Sequence, residues 1–340
     1  MSEPLLQLEH LAVDLPGPAG PVDVLTDVTL SAGAGEIVGI AGESGSGKSM
    51  TGRALLGLLP DGARVSGRAE FDGRDLLALP ARQRRAVRGG EIAMVFQDPT
   101  ASLHPMLTVG TQLTEHMRRH LGLSKKAASA RAAELLEEVR LPDPDAALRA
   151  FPHQFSGGMR QRIAIAAALA AEPRVLVADE PTTALDVTVQ AGILHLFDRL
   201  ARERGLTVLF ITHDLGVLAA LARRTYVFYA GRIAETGPTA DLLRDSRHPY
   251  TTALLSARPE VSEDGRTVDL VPIPGIPVNA ASAPAGCPFA PRCADRVDAC
   301  TSAAPPLAPV PARDRSADPR HRAACLVHAP ATPQTVEVTR

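Results

Sequence analysis

A glycine-rich stretch near the N-terminus, Gly42-Glu-Ser-Gly-Ser-Gly-Lys48-Ser49, constrains the fold of this chain more than any other feature. It matches the phosphate-binding P-loop, in which a glycine and four further residues precede Gly-Lys-Ser. The glycines let backbone N–H groups curl around phosphate oxygens, where side chains would obstruct them. Lys48 is placed to reach the terminal phosphates and Ser49 to ligate Mg²⁺. Because a P-loop joins a strand to a helix, the stretch predicts an α/β nucleotide-binding fold.

The lysine of this loop stands out against the composition of the chain. Of 36 lysines and arginines only three are lysines, and Lys48 is one of them. A compact ammonium group fits between phosphates where a planar guanidinium does not. We expect the loop to contact the nucleotide phosphates through Gly42, Ser44, Gly45, Ser46, Gly47, Lys48, Ser49 and Met50.

Length and composition narrow the class of protein. The chain has 340 residues, 45% of them hydrophobic, which is enough for a large core and an extension. A net charge of −2 gives no bias toward nucleic acid, and we interpret the basic run 82–88 as a solvated face. The N-terminus lacks the pattern of a signal peptide, and the apolar run 163–171 is too short to cross a bilayer. We therefore expect a soluble chain whose membrane spans, if it works at a membrane, belong to other subunits.

Strand and helix patterns alternate along most of the chain. Strands are predicted at 36–41, 92–96, 174–178, 207–212, 224–230 and 232–235. Helices are predicted at 48–59, 187–204 and 215–221, and an Ala-rich helix follows Ser156. This alternation favours a parallel α/β sheet. Two further strands, 5–15 and 24–30, flank a turn rich in Pro and Gly, and an all-helical insert contains helices at 107–120 and 124–140.

Two acidic residues end one of the apolar strands. Asp179 follows Val175-Leu-Val-Ala, a position from which a carboxylate can hold Mg²⁺, usually through water. Glu180 comes next and is the candidate general base for the attacking water. His213 directly follows another predicted strand and could orient the same water or contact the terminal phosphate. The three residues predict hydrolysis of the bound nucleotide.

A second candidate phosphate site lies at the start of a long helix. Ser156, Gly157 and Gly158 offer a hydroxyl and unobstructed backbone N–H groups at a helix N-terminus, which attracts anions. A simple capping motif would explain the serine equally well. However, one P-loop already binds the phosphates of this chain, so a second such site is useful where it closes over the nucleotide of another subunit.

Taken together, these motifs resemble those of the ATP-binding cassette (ABC) ATPases. The resemblance rests on the P-loop, Gln97, Phe-Ser156-Gly-Gly-Met, Val-Ala-Asp179-Glu-Pro, Ala184-Leu-Asp186 and His213, and it covers residues 5 to about 245. It implies a RecA-like core with an antiparallel β-subdomain, formed by residues 1–97 and 152–250, and a helical subdomain at 98–151. It also implies that ATP and Mg²⁺ bind, with Gln97 reaching both the metal and the catalytic water.

The same resemblance implies the assembly. Two cassettes would form a head-to-tail dimer, with each ATP held between the P-loop of one subunit and the Ser-Gly-Gly motif of the other. Asp186 would signal across this dimer, and Gln97 and the helical insert would couple to a membrane subunit. The expected partners are a related but distinct ABC ATPase subunit, two membrane-spanning permease subunits and, indirectly, an extracellular solute-binding protein. The location would be the cytoplasmic side of the cell membrane, as a peripheral subunit.

The C-terminal part of the chain, 251–340, indicates which group of ABC ATPases the chain resembles. Fourteen of the 29 prolines and all four cysteines lie in residues 259–340. Arg247-His-Pro-Tyr-Thr251, Ile276-Pro277 and Pro291-Arg292-Cys293 resemble the extension of dipeptide/oligopeptide importer ATPases, a group that also serves nickel and other small solutes. Four thiolates can hold a 4Fe–4S cluster or zinc. The resemblance favours a 4Fe–4S cluster on the four cysteines, with zinc or free thiols as alternatives: Cys287, Cys293, Cys300 and Cys325.

One departure from the family concerns the base of the nucleotide. ABC ATPases usually stack adenine on an aromatic residue some 20 to 25 positions before the P-loop, whereas the first aromatic residue here is Phe71. Adenine would then rest on aliphatic carbons or another group. A soluble ABC ATPase of DNA repair or translation is a rival, but the chain lacks a mid-chain heptad arm and an internal repeat. A redox-sensing role for the cysteine region is a second alternative.

Overall fold

The structure is a computed structural model that describes residues 3–18, 20–183, 185–257, 272–311, 318 and 320–329. Its strands are β1 (Leu6–Gly17), β2 (Gly20–Ala32), β3 (Ile37–Ala41), β4 (Arg64–Phe71), β5 (Arg74–Asp75), β6 (Ile92–Val95), β7 (Val175–Asp179), β8 (Thr207–Ile211), β9 (Arg224–Tyr229), β10 (Arg232–Pro238), β11 (Ala308–Pro309) and β12 (Arg322–Ala323).

The α-helices follow the same alternation. They are α1 (Lys48–Leu56), α2 (Ala81–Val87), α3 (Pro99–Ser102), α4 (Val109–His120), α5 (Lys125–Glu138), α6 (Pro144–Arg149), α7 (Gly157–Leu169), α8 (Val187–Arg204), α9 (Leu215–Leu221), α10 (Thr239–Arg244) and α11 (Pro249–Ser256). In the described ranges, no helix is long and apolar enough to cross a membrane.

The larger sheet carries the parallel core that the sequence predicts. Its strand order is β11-β12-β10-β9-β3-β8-β7-β6. The strands β9, β3, β8, β7 and β6 are parallel, and β10 turns back antiparallel to β9. Parallel strands place their carboxyl ends at one edge, where ligands bind in open α/β sheets. The P-loop after β3 and the acidic pair at the end of β7 therefore share this edge.

Both faces of the parallel sheet are buried, because successive side chains of a strand point to opposite faces. In β7, Leu176 and Ala178 pack into one hydrophobic cluster together with α7 and α8. Val175 and Val177 pack into the other, together with the smaller sheet. That division explains why the strand is a continuous apolar run in the sequence instead of an alternating one.

The smaller sheet is antiparallel and has the order β2-β1-β4-β5. β1 and β2 form a long hairpin whose pairing extends to Gly17 and Gly20, so the strands continue through the predicted turn. Strand β4 was not predicted. Among its eight residues only Ala69 and Phe71 are buried, and a strand with so short a buried face gives little periodic signal.

Three helices of the insert are fixed at their N-termini by side-chain caps. Thr108, Ser124 and Asp143 accept hydrogen bonds from backbone N–H groups in the first turns of α4, α5 and α6. Their buried residues, including Leu113, Met117 and Leu136, join the cluster that packs on one face of the parallel sheet. The insert predicted as all-helical is thus helical, and it packs on the core.

The C-terminal extension is attached to the core sheet by hydrogen bonds. β12 pairs with β10, where Glu235 lies opposite Ala323. The carboxylate of Glu235 is fully buried and accepts bonds from the backbone N–H groups of Arg247 and His248 and from the ring of His321. A buried charge requires such partners, so this carboxylate joins α11, β10 and the extension in one network.

Candidate nucleotide-binding site

Two glycines of the P-loop have conformations and surroundings that exclude a side chain. Gly42 has φ 142°, and a Cβ there would lie 2.3 Å from the carbonyl oxygen of Phe228. Gly47 has φ 104° and caps α1, and a Cβ there would lie 2.7 Å from Leu25 Cδ2. The loop is therefore pressed between β2 and the end of β9. This packing holds the backbone in a curve that a phosphate group can occupy.

Lys48 lies inside this curve. Its Nζ donates hydrogen bonds to the carbonyl oxygens of Gly42 (2.7 Å) and Glu43 (2.8 Å). Burial lowers the pKa of Lys48, while the carboxylates of Glu180, Asp179 and Glu43 oppose that shift. The hydroxyl of Ser46 is also buried and has no hydrogen-bond partner among the described residues. A buried donor without a partner is costly, and a phosphate oxygen in the loop would satisfy it.

The predicted magnesium ligands of the P-loop and of β7 are in contact. Ser49 Oγ donates to Asp179 Oδ1 at 2.7 Å. Burial raises the pKa of Asp179, with the hydrogen bond from Ser49 opposing and the nearby charge of Glu180 adding to the shift. A divalent cation would favour the ionised carboxylate. A hydroxyl and one carboxylate next to a phosphate site are the donors that Mg²⁺ takes when it keeps waters and substrate phosphates as its other ligands, so these residues fit the metal.

Glu180 is the centre of a second group of side chains. Its φ of 46° turns the chain at the end of β7, and its charge acts on Asp179. Gln97 Nε2 donates to Glu180 Oε2 at 3.1 Å, and His213 Nδ1 lies 3.5 Å from Glu180 Oε1. Thr183 also donates its hydroxyl hydrogen to Glu180 Oε2, at 2.9 Å.

The group on Glu180 unites all three predicted catalytic residues, Glu180, His213 and Gln97. Gln97 contacts the carboxylate of Glu180 directly. Sequence reasoning missed Thr183. A hydroxyl three residues after the acidic pair was the available signal, because a turn after a strand can bring it back to the carboxylate.

The Ser-Gly-Gly motif starts α7 away from this cluster. Ser156 Oγ accepts a hydrogen bond from the N–H of Met159 at 3.4 Å, and both Ser156 and Gly157 are exposed. A Cβ on Gly157 would meet no atom of the described residues within 4 Å, whereas one on Gly158 would lie 2.8 Å from Val189 Cγ1. The fold of the chain itself therefore explains the second glycine but not the first.

Asp186 occupies an equivalent position at the start of α8. Its carboxylate accepts a hydrogen bond from the N–H of Val189 at 2.9 Å, and its side chain is exposed. Ala184, the first residue of the predicted Ala-Leu-Asp motif, lies outside the described residues. The helix-capping role is established by this geometry, and the exposed carboxylate remains accessible to a partner.

The four cysteines of the extension surround a small cavity. Cys287, Cys300 and Cys325 are buried, Cys293 is half-buried, and all four are free thiols. The cavity they line measures about 10 Å³, which is space for about one water molecule. Burial raises the pKa of Cys287 to about 11 and also raises that of Cys293, so these groups remain protonated thiols.

Comparisons with known proteins place the chain in a family. Residues 25–183 match the family described as ABC transporter, and residues 234–300 match the oligopeptide/dipeptide transporter C-terminal region. The oligopeptide transport ATP-binding protein OppD of Salmonella typhimurium is 45% identical over 312 residues, which are 92% of each chain. The chain belongs to the ABC transporter ATP-binding proteins. The dipeptide transport ATP-binding protein DppD of Bacillus subtilis is 47% identical over 88% of this chain and 89% of its own length.

Solved structures agree with this membership. A dimeric post-hydrolysis structure of the ATP-binding cassette MJ0796, bound to ADP and Pi, has a TM-score of 0.62 and 29% identity, and the match covers 69% of this chain and 98% of that one. The predicted cassette fold and family are thereby confirmed, and the chain is an ATPase. Membership makes it an ATP-binding, ATP-hydrolysing subunit of an ABC transporter.

The prediction of a 4Fe–4S cluster on Cys287, Cys293, Cys300 and Cys325 is wrong. Across the described ranges, no group of three or more His, Cys, Asp or Glu side chains is placed to hold a metal ion. The matched families are a transporter ATPase and its C-terminal region, not an iron–sulfur protein. The physical reason is that the cysteines enclose too little space, and that burial raises the pKa of Cys287 and of Cys293 and so disfavours their thiolate forms. Zinc, the alternative, is unsupported on the same grounds, since it binds thiolates.

Proposed function

We propose that the chain hydrolyses ATP to drive the uptake of short peptides through an ABC importer. The observation that carries the proposal is the group on Glu180, where Gln97, Thr183 and His213 converge on one carboxylate beside the P-loop. Relatives named as oligopeptide and dipeptide transport ATP-binding proteins align over about nine-tenths of the chain, including its extension. That coverage favours peptides as the solute over the other small solutes of this group.

The proposed roles follow from the positions of the side chains. The loop from Gly42 to Met50 binds the phosphates, and Lys48 exchanges its loop carbonyl partners for phosphate oxygens. Ser49, Asp179 and Gln97 hold Mg²⁺, which supplies charge neutralisation at the phosphates when it is bound. Glu180 accepts the proton of the attacking water.

His213 and Gln97 orient the same water. Both side chains approach the carboxylate of Glu180, so a water bound to that carboxylate lies within reach of each. His213 is more than half exposed, and closure of a partner over the site would exclude solvent from it. Removing bulk water strengthens each of these electrostatic contacts.

The partner in this closure is a second, related ABC ATPase subunit. Among the described residues, none gives Gly157 a packing reason to lack a side chain, which is explained if phosphates of the partner's nucleotide approach its backbone. Ser156, Gly158 and Asp186 complete this surface at the N-termini of α7 and α8. Val187, which is 82% exposed, adds an apolar contact beside Asp186.

One of the two permease subunits binds on the helical insert. An apolar groove of about 310 Å³ lies between β6, α4 and α7, and Phe96, His116 and Ala168 are among its lining residues. Phe96 directly precedes Gln97 in the chain. A permease segment bound in this groove would therefore contact the residue next to the glutamine that donates to Glu180. The subunit then works on the cytoplasmic side of the membrane, and an extracellular binding protein delivers the solute to the permeases.

We also propose a division of the chain into three domains. We assign residues 1–97 and 152–250 to the ATPase core, 98–151 to the helical subdomain and 251–340 to the extension. The first boundary places the glutamine at the junction of core and helices. The last boundary falls inside α11, after Tyr250, where the chain passes from the core to the extension.

The test is Glu180→Gln in the assembled importer. We expect ATP binding to persist while the turnover rate falls about 10²–10⁴-fold, the usual contribution of a positioned general base. Uptake of a labelled dipeptide into vesicles should stop, and the variant should retain unhydrolysed ATP in a closed dimer. Glu203→Gln is the matched control, because Glu203 lies exposed on α8, and it should leave both rates unchanged. Near-normal turnover of the Glu180 variant would refute the role of Glu180 as the general base. Wild-type assemblies that hydrolyse ATP without importing peptide would refute the proposal that peptide is the transported solute.

A further inference from the structure

The C-terminal extension reaches into the nucleotide site through one arginine. Arg292 donates from Nη1 to Glu43 Oε2 at 2.6 Å and from Nη2 to Glu43 Oε1 at 3.1 Å. Glu43 is the second residue of the P-loop, and 249 positions separate the partners along the chain. A two-pronged contact between guanidinium and carboxylate is strong and fixes the orientation of both groups.

The arginine is held on every side by the extension and by β9. Its side chain is 3% exposed, its Nε donates to the carbonyl of Pro274, and its Nη1 also approaches the hydroxyl of Tyr229 at 3.3 Å. The guanidinium carbon lies 5.9 Å from the ring centres of both Tyr229 and Phe289. These contacts leave the side chain little freedom, so Arg292 presents a fixed charge to the P-loop.

Glu43 connects this charge to the phosphate-binding lysine. Its backbone N–H donates to the hydroxyl of Tyr250 at 2.7 Å, and its carbonyl accepts from Lys48 Nζ at 2.8 Å. The carboxylate, the N–H and the carbonyl of one loop residue are thus each engaged, two by residues C-terminal to β10 and one by the lysine. Moving Glu43 would move an atom that Lys48 contacts.

The charge of the arginine has a second effect. The carboxylate of Glu43 lies close enough to act on Lys48, so it would also act on phosphates bound at that lysine. With Arg292 in place the carboxylate is paired and its negative charge is balanced. Without it, an unpaired carboxylate would stand beside a polyphosphate, and like charges at short range repel.

We propose that Arg292 is a positioning residue of the ATP site, through which the C-terminal extension holds the P-loop in its binding conformation and neutralises Glu43. The pair sets ATP affinity rather than the hydrolytic step, because neither side chain contacts Glu180, Gln97 or His213 in the described part of the chain. The extension, an appendage to the ATPase core, is on this view a component of nucleotide recognition.

The experiment compares Arg292→Ala, Glu43→Gln and the double variant in the full-length chain. ATP affinity is measured by calorimetric titration with a non-hydrolysable ATP analogue, and KM and kcat are measured in the assembled importer. We expect Arg292→Ala to weaken binding and raise KM about tenfold, equivalent to about 1.4 kcal/mol, with little change in kcat. In the double variant the unpaired carboxylate of Glu43 is absent. Its affinity for the ATP analogue should therefore lie within about threefold of that of the Glu43→Gln variant.

Two controls separate positioning from general stability. Arg320→Ala removes another arginine of the extension, one that pairs with Asp318 at the surface, and it should leave ATP affinity unchanged. Thermal unfolding of each variant shows whether the chain remains folded. Arg292→Lys keeps the positive charge but loses the two-pronged contact of the guanidinium with Glu43. It should therefore retain part of the affinity for ATP.

Three outcomes would overturn the proposal. The first is an Arg292→Ala variant that binds the analogue as tightly as the wild type. The second is a double variant that binds much more weakly than Glu43→Gln, which would show that the arginine does not act through Glu43. The third is a loss of kcat at constant KM, which would place its effect on the chemical step instead.

Discussion

His248 should make the attachment of the extension sensitive to acid. It precedes α11 and is 4% exposed, and its Nδ1 accepts a hydrogen bond from the N–H of Tyr250 at 3.1 Å. A protonated ring cannot accept that bond. Burial lowers the pKa of His248 from 6.5 to about 4, with Glu235 and a hydrogen bond to the backbone of Ala324 opposing the shift and His328 adding to it.

The direction of the pH effect on stability follows from the pKa values of His248 in the unfolded and folded chain. Between pH 6.5 and about 4 the unfolded chain binds a proton at this histidine and the folded chain does not, so the free energy of unfolding falls as the pH falls. Each tenfold difference in proton affinity is worth about 1.4 kcal/mol. The loss at this one site is therefore about 2 kcal/mol between pH 7 and pH 5, and about 3 kcal/mol below pH 4.

The assay is urea unfolding at pH 7 and pH 5, followed by circular dichroism because the chain contains no tryptophan. His248→Asn keeps a side-chain acceptor for the helix start and removes the titrating ring. It should lose about 2 kcal/mol less than the wild type between the two pH values, although the smaller side chain lowers its stability at both. His195→Gln, at an exposed position on α8, should behave as the wild type. Equal losses in the wild type and His248→Asn would refute the reasoning.

Two further predictions concern the nucleotide. Ser156→Arg should abolish ATP-driven dimer closure while ATP binding to the isolated subunit stays within about twofold, because Lys48 and Ser49 belong to a separate loop; a clear loss of affinity in the monomer, measured by titration, would contradict a role in trans. GTP and ATP should compete within about tenfold of each other, since the segment before the P-loop lacks the aromatic residue whose stacking adds about 0.5–1.5 kcal/mol. A strong preference for ATP in competition binding would show that another group contacts the adenine.

Local signals predicted the elements of the core well. The predicted bounds of the helices at 187–204 and 215–221 agree with the structure, because Asp186 and Asp214 cap their starts and Gly205 ends the first in a left-handed conformation. The first helix ends earlier than predicted, at Leu56, because Gly57 has φ 62° and stops it. The prediction had ended the helix at Leu59, before Pro60-Asp61-Gly62. Caps are local in sequence, which is why these boundaries could be predicted.

Contacts between distant segments could not be predicted in the same way. Pro291-Arg292-Cys293 was noticed in the sequence, but nothing in its neighbourhood indicates a carboxylate in the P-loop as its partner. The cysteine spacing was misleading for a related reason. A spacing gives the order of possible ligands, whereas metal binding depends on the distances between thiols and on their protonation, both of which depend on the packing around them.

The charges around Lys48 explain why only one of its three neighbouring carboxylates is paired with an arginine. Glu43, Asp179 and Glu180 all act on the lysine. Among the described residues, Glu43 forms an ion pair with a guanidinium, that of Arg292, whereas Arg53 acts on Asp179 without forming an ion pair. In the part of the chain that the structure describes, no lysine or arginine forms an ion pair with Asp179 or Glu180. An arginine on Asp179 would compete with a metal ion, and one on Glu180 would weaken it as a base by stabilising its ionised form. Glu43 has neither task, and its charge would only repel phosphates. The distribution of the arginine contacts therefore divides the three carboxylates by function: the one paired with arginine positions the loop, and the two left without one remain available for chemistry.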